Sequence, residues 1–162
     1  MIIWIDGDSC PRPVRDILFR ASKRQTLQLI FVANRPIPLK KSQLISLVQT
    51  SKEEGSADDY IIENSVQGDL IITRDIPLAA ELVERDRKVL NDRGAIYTKE
   101  NVRERLAQRD FNKMLRDAGL NDDHSNNFGQ KEIKAFSNAF DRTTCQMLAE
   151  ERFWKAKKAK EN

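Results

Sequence analysis

Short apolar runs alternate with helical periodicities along most of this chain. Residues 2–5 are all apolar and are closed by Asp6, Gly7 and Asp8. A run of that length bounded by turn residues predicts a buried strand. Val14, Ile17, Leu18 and Ala21 recur at helical spacing and predict a helix over 12–24, with Pro13 in its first turn. Residues 27–32 predict a second strand, after which Pro36 and Pro38 enforce a loop. Residues 43–49 fit a helix turn or an edge strand, and we read them as strand. Ala57, Ile61, Ile62 and Val66 predict a helix that Gly68 ends. Residues 69–73 predict another buried strand, followed by a helix over 76–85 with Pro77 near its start. Short apolar pieces in 88–97 flank a turn at 91–94. A long helix is predicted over 99–118, with Val102, Leu106, Phe111, Met114 and Leu115 as its inner stripe and Gly119 as its cap. Residues 120–129 predict a mobile polar loop. A last helix is predicted from 131 to about 157, carrying Ile133, Phe136, Phe140, Met147, Leu148 and Phe153, with a frayed end. Alternating strands and helices predict an α/β fold with a mainly parallel sheet and right-handed crossovers.

Composition narrows the class without naming a function. The 162 residues suit one domain, and 40% apolar content can supply its core. The net charge of +3 is mildly basic, but its distribution says more. Arg12, Arg15, Arg20, Lys23 and Arg24 stand against Asp16 alone, and Lys155, Lys157, Lys158 and Lys160 crowd the tail. Such clusters can follow phosphates, although a solvated helix face explains each one taken singly. Cys10 and Cys145 are too few and too far apart for a disulfide framework or a zinc site. Neither a signal peptide nor a membrane-length apolar run is present, so a cytoplasmic protein is expected.

The acids carry the candidate chemistry. Asp6 and Asp8 follow the first strand, Asp58 and Asp59 open a helix, and Asp75 follows the strand ending at Thr73. If these strands are parallel neighbours, the carboxylates meet at one sheet edge, where ligands bind in open α/β sheets. Close carboxylates repel, and a divalent cation removes that cost. Mg²⁺ and Mn²⁺ favour oxygen ligands and can support in-line phosphoryl displacement. Simpler roles compete: Asp58 or Asp59 could complement a helix dipole, and Asp75 could be an N-cap. Asp69 precedes its strand and belongs to the opposite edge. Thr73 could orient a carboxylate or a phosphate. Cys10 beside acids is a poor nucleophile, and His124 in a polar loop is a poor general base.

Two enzyme classes share this opening. Haloacid-dehalogenase phosphatases use a DxDx[T/V] motif; Asp6 and Asp8 fit its spacing, but Cys10 replaces the Thr or Val, Thr73 stands in a poor context for the later Ser or Thr, and no convincing Lys follows. PIN-like and NYN-like nucleases use a first-strand Asp, an acid at a helix start and an Asp after a strand ending in Thr or Ser. Asp6, the ADD at 57–59 and the LIITRD at 70–75 follow that order. WIDGDSCP (4–11), VAN (32–34), ADDYI (57–61), GDLIITRDIPLAAE (68–81), LNDRGAIYT (90–98), RERLAQRDF (103–111) and FGQKEIKAF (128–136) together resemble the YaiI/YqxD family of bacterial PIN-like proteins.

The resemblance implies a three-layer PIN-like α/β domain over 1–119, with a loop and C-terminal helix over 120–162 packing on it. It implies a Mg²⁺- or Mn²⁺-dependent site for phosphodiester hydrolysis, with RNA as the expected partner. Asp6, Asp58 and Asp75 would be catalytic, and Asp6, Asp8, Asp58 and Asp75 would face the metal. Asn34, Arg12, Arg15, Arg35, Thr73 and Arg74 would contact substrate. A further family Asp is replaced here by Gly55, with Glu53 and Glu54 nearby. In RERLAQRDF, Arg103 and Asp110 would fix the long helix against the sheet. An inactive nucleic-acid-binding protein and a haloacid-dehalogenase-type phosphatase are the alternatives.

Overall fold

The computed structural model of the chain describes residues 1–120 and 127–161; His124 and most of the expected polar loop lie outside the described residues. Within them the elements run β1 Ile2–Asp6, α1 Arg12–Gln25, β2 Gln28–Ala33, β3 Ile45–Gln49, α2 Ser56–Asn64 and β4 Leu70–Ile72. They continue as α3 Ile76–Glu84, β5 Lys88–Leu90, β6 Ile96–Tyr97, α4 Lys99–Asp117 and α5 Gln130–Glu161. The sheet order is β3-β2-β1-β4-β5-β6. Neighbours pair in parallel except β5 with β6, which are antiparallel. The expected mainly parallel α/β sheet and C-terminal helix are therefore present, and residues 45–49 are the strand preferred above.

Both faces of the sheet are covered, which explains why its inner strands are continuous apolar runs rather than alternating ones. Ile3, Ile5, Leu29, Phe31, Leu70 and Ile72 pack on one side with α1 and with Phe136 and Phe140 of α5. Trp4, Val32, Ile71 and Val89 pack on the other with Ala57 and Ile61 of α2, Leu78 and Leu82 of α3, and Val102 of α4. The turn between β5 and β6 is pressed onto α5. A Cβ added to Gly94 (φ +87°) would meet the Ala135 carbonyl oxygen at 2.5 Å. No described helix is long and apolar enough to cross a membrane.

Four expectations need correction. Helix α2 stops at Asn64, with Ser65 as C-cap, so Val66 is exposed rather than an inward helical residue. Along the expected inner stripe of α4 only Val102 is fully buried; Leu106 and Leu115 are half-buried, and Phe111 and Met114 are 49% and 60% exposed. Arg103 reaches Glu84 of α3 at 3.3 Å and Asp110 pairs with Arg109 on α4 itself, so these two residues do not fix the helix to the sheet. Finally, α5 does not fray near 157 but continues to Glu161, leaving Phe153 exposed.

Candidate active site

The chain moves outward from β1 through β2 to β3, then returns to lay β4, β5 and β6 on the other side of β1. The reversal lies between β1 and β4. Loops leaving those two strands diverge, and ligands of open α/β sheets bind in the crevice they leave. Asp6 is the last residue of β1, and Thr73 follows the last residue of β4.

Asp6 is 4% exposed. Its Oδ2 accepts from Ser9 Oγ at 2.6 Å and from Thr73 Oγ1 at 2.8 Å. The Thr73 hydroxyl oxygen accepts in turn from the Asp75 backbone N–H at 3.0 Å. A hydroxyl thus ties the ends of the two strands together. Burial pushes the Asp6 carboxyl above the usual carboxylate range; the Ser9 and Thr73 hydrogen bonds oppose this, and the Asp75 charge adds to it. Asp75 also N-caps α3, accepting from the Leu78 N–H at 2.8 Å.

Gly7 explains how Asp8 is placed. Its N–H donates to the Val32 carbonyl at 2.7 Å. A Cβ there would stand 3.0 Å from both that carbonyl oxygen and Ile37 Cδ1. Glycine therefore lets the chain fold tightly over the end of β2. Asp8 Oδ2 then accepts from the Asn34 backbone N–H at 2.9 Å, so Asn34 contributes through its main chain. Asp8 Oδ1 is buried without a hydrogen-bond partner, with Arg35 Nε 3.7 Å away. Asp58 lies in the first turn of α2. Its carboxyl is pushed up to about 6, chiefly by burial and then by the charges of Asp6, Asp75, Asp59 and Asp8. Four acids predicted to meet thus share one electrostatic field with Asp59. Among the described residues, no three Asp, Glu, His or Cys side chains stand close enough to form a ready-made metal-ligand group.

The arginines divide. Arg74 donates through Nε (3.0 Å) and Nη2 to Asp92 Oδ2. Asp92 is buried just past β5, at the same sheet edge, and the sequence reading missed it. Its signal was an acid following an apolar strand, hidden because NDRG also reads as a turn. Arg12 is exposed at the start of α1, and Arg15 is partly buried, with a buried Nε that has no hydrogen-bond partner. Cys10 is pushed up to about 12, chiefly by burial, with Arg15 opposing and Asp6 and Asp92 adding, so it carries no thiolate near neutrality. Asp69 lies at the opposite edge, where it accepts from the Ile2 N–H, the Val66 N–H and Trp4 Nε1.

Comparison with known proteins places this sequence in a family. Residues 4–146 match the family model described as uncharacterized BCR, YaiI/YqxD family. A UPF0178 protein of Psychromonas ingrahamii is 47% identical over 142 residues, covering 88% of this chain and 94% of the relative. One of Treponema denticola is 48% identical over 148 residues, covering 91% and 94%. One of Treponema pallidum is 42% identical over 161 residues, covering 99% and 91%. No solved structure gives a significant match. The chain belongs to the YaiI/YqxD family.

Proposed function

We propose that the protein is a Mg²⁺- or Mn²⁺-dependent nuclease that hydrolyses phosphodiesters, with RNA as its substrate class. The carrying observation is Asp6. It is a buried carboxylate at the reversal point of the sheet, tied by the Ser9 and Thr73 hydroxyls and facing the charge of Asp75. A buried acid with a purely structural task is expected to sit among opposite charges or N–H donors, as Asp69 does.

The residues fit a hard divalent cation. All four donors are carboxylates, Asp8 keeps a buried oxygen without a hydrogen bond, and Asp58 is held in a field that positive charge would relieve. Mg²⁺ keeps several waters and is commonly held by one or two carboxylates together with substrate phosphates, so a three-ligand cage is not required. When bound, such an ion supplies an acidified water and neutralises charge on the transferring phosphoryl group. The chain's own contributions are orientation and phosphate contact. Ser9 and Thr73 fix the Asp6 carboxylate. Asp58, pushed up to about 6 by burial and its acidic neighbours, would be held ionised by a bound cation. Arg74, clamped by Asp92, presents a fixed guanidinium for a phosphate, with Arg12, Arg15 and Arg35 as further contacts.

The test is cleavage of a panel of end-labelled RNAs, with and without Mn²⁺, by wild-type protein and Asp6→Asn. Metal-dependent cleavage by the wild type alone is expected. Equal inertness of both across the panel overturns the reading, and capture of Asp6 as an acyl phosphate would assign a phosphatase instead.

A further inference from the structure

Helix α4 overshoots the helix it packs on. Because β6 is antiparallel to β5, the chain leaves β6 at the edge of the sheet opposite Asp6, and α4 runs back toward the acidic edge. It has 19 residues against nine in α3. Arg103, near its start, already meets Glu84 at the far end of α3. Ile76, the first residue of α3, borders an open groove of about 280 Å³ with Arg105, Gln108, Arg109, Asn112 and Arg116. The second half of α4 therefore stands beside and beyond the point where Asp75 caps α3.

The five polar residues of that groove recur at i, i+3, i+4, i+7 and i+11, which is one face of a helix. Three are arginines, and no carboxylate lines the groove. Glu104, Asp110 and Asp117 each lie one position from an arginine, about 100° round the helix axis. Arg109 reaches Asp110 sideways at 3.4 Å. Among the described residues, Arg105 and Arg116 have no carboxylate within ion-pair reach. Arg105 instead lies 5.3 Å from the centroid of the buried Tyr97 ring, which fixes its guanidinium. The helix dipole accounts for Arg116, in the last turn, but not for Arg105 and Arg109, which repel one another one turn apart. Arginine forks match phosphate oxygens, and the Gln108 and Asn112 amides stand between them. From Arg105 to Arg116 the face runs about 17 Å, enough for several successive phosphates of one strand. The groove begins at the residue after Asp75, so a strand with a phosphodiester at the acids meets it directly. That continuity favours a nucleic-acid backbone over an acidic protein segment.

We infer that the arginine face of α4 binds the phosphate backbone of an RNA strand whose reacting phosphodiester lies at the acidic edge. The inference rests on the nucleic-acid reading above and names the residues that hold the strand. Contacts of this kind fix the register of a strand without reading its sequence.

The test titrates the full-length Asp6→Asn protein into a labelled single-stranded oligouridylate, without divalent metal so that the strand stays intact. Anisotropy is followed across a salt series. One variant adds Arg109→Gln and Arg116→Gln; both positions are exposed, and Gln keeps the helix propensity of Arg. A matched control adds Lys157→Gln and Lys158→Gln near the end of α5, removing the same charge elsewhere. The arginine pair should weaken binding about tenfold at low salt and lower the slope of log affinity on log salt by about 1.4, or 0.7 per phosphate contact. The lysine pair should leave the slope unchanged. Equal weakening by the two pairs, or weakening by neither, overturns the inference, as does binding of polyglutamate but not of RNA. Arginine-dependent binding by a protein whose wild type cleaves no RNA supports the groove and removes the cleavage reading. Metal-dependent cleavage whose KM ignores the arginine pair keeps the cleavage reading and overturns the groove.

Discussion

Asp6 and Asp69 are both buried aspartates at strand ends, yet they sit in opposite environments. Asp69 stands where β4 begins and accepts from two backbone N–H groups and one indole N–H. These donors stabilise its charge and stitch β1, β4 and the preceding turn together. Asp6 stands where β1 ends, accepts from two hydroxyls and from the Ser9 backbone, and faces Asp75 and Asp58. Its surroundings do not neutralise it. One acid is used to build the sheet; burial of the other disfavours its charge, the environment expected of a group with the chemistry proposed above.

Substitutions can break or sharpen that contrast. Asp6→Asn keeps an acceptor for Ser9 and Thr73 and removes the charge. Cleavage should fall by roughly 10³-fold, about 4 kcal/mol of barrier, while thermal unfolding moves by about 1 kcal/mol or less. A large loss of stability with cleavage intact would reverse the two roles. Asp69→Ala should do the opposite. Stranding three N–H donors should cost about 3 kcal/mol or more, read as a Tm lower by roughly 6–12 °C, with activity per folded molecule retained.

Asp58 gives a smaller, pH-dependent test. Its folded carboxyl titrates at about 6 against an ordinary 3.8, so the folded state binds its proton more tightly than the unfolded chain. Stability from this group therefore rises as pH falls from about 6 to about 4 and is lost again as pH rises through that window. At pH 7.5, Asp58→Asn should stabilise the protein by about 1 kcal/mol, allowing for solvent screening. Near pH 4 that advantage should vanish; denaturant melts at the two pH values check both halves. The smallest effect is expected on the outer face of α4. Met114→Gln should change stability by less than about 0.5 kcal/mol, and a larger loss would show that this face is covered.

The sheet was legible from residues alone because its strands are buried on both faces. Ile2–Asp6 and Leu70–Ile72 are apolar runs with no competing helical period. The acids after β1 and β4 were legible for the same reason, since each directly ends such a run. What stayed hidden depends on which elements pack together. Phe111 and Met114 lie at helical spacing but find no layer to cover them, because α4 touches α3 and is held inward at Val102. Val66 fitted the period of α2, but the chain leaves the helix at Ser65. The role of Asp92 required knowing that β4 and β5 are neighbours, which brings Arg74 to a carboxylate 18 positions away. Likewise, the residue pattern predicts the last helix to about 157, but not that α5 lies over the opposite edge of the sheet.

The central claim is that the acids around Asp6 form a divalent-cation site. The most direct measurement is anomalous scattering from crystals of the protein soaked in Mn²⁺, compared with crystals of Asp6→Asn soaked identically. The account predicts a Mn²⁺ peak among Asp6, Asp8, Asp58 and Asp75 in the wild type and its loss in the variant. A wild-type crystal with no peak there, or peaks of equal height in the two proteins, would contradict it.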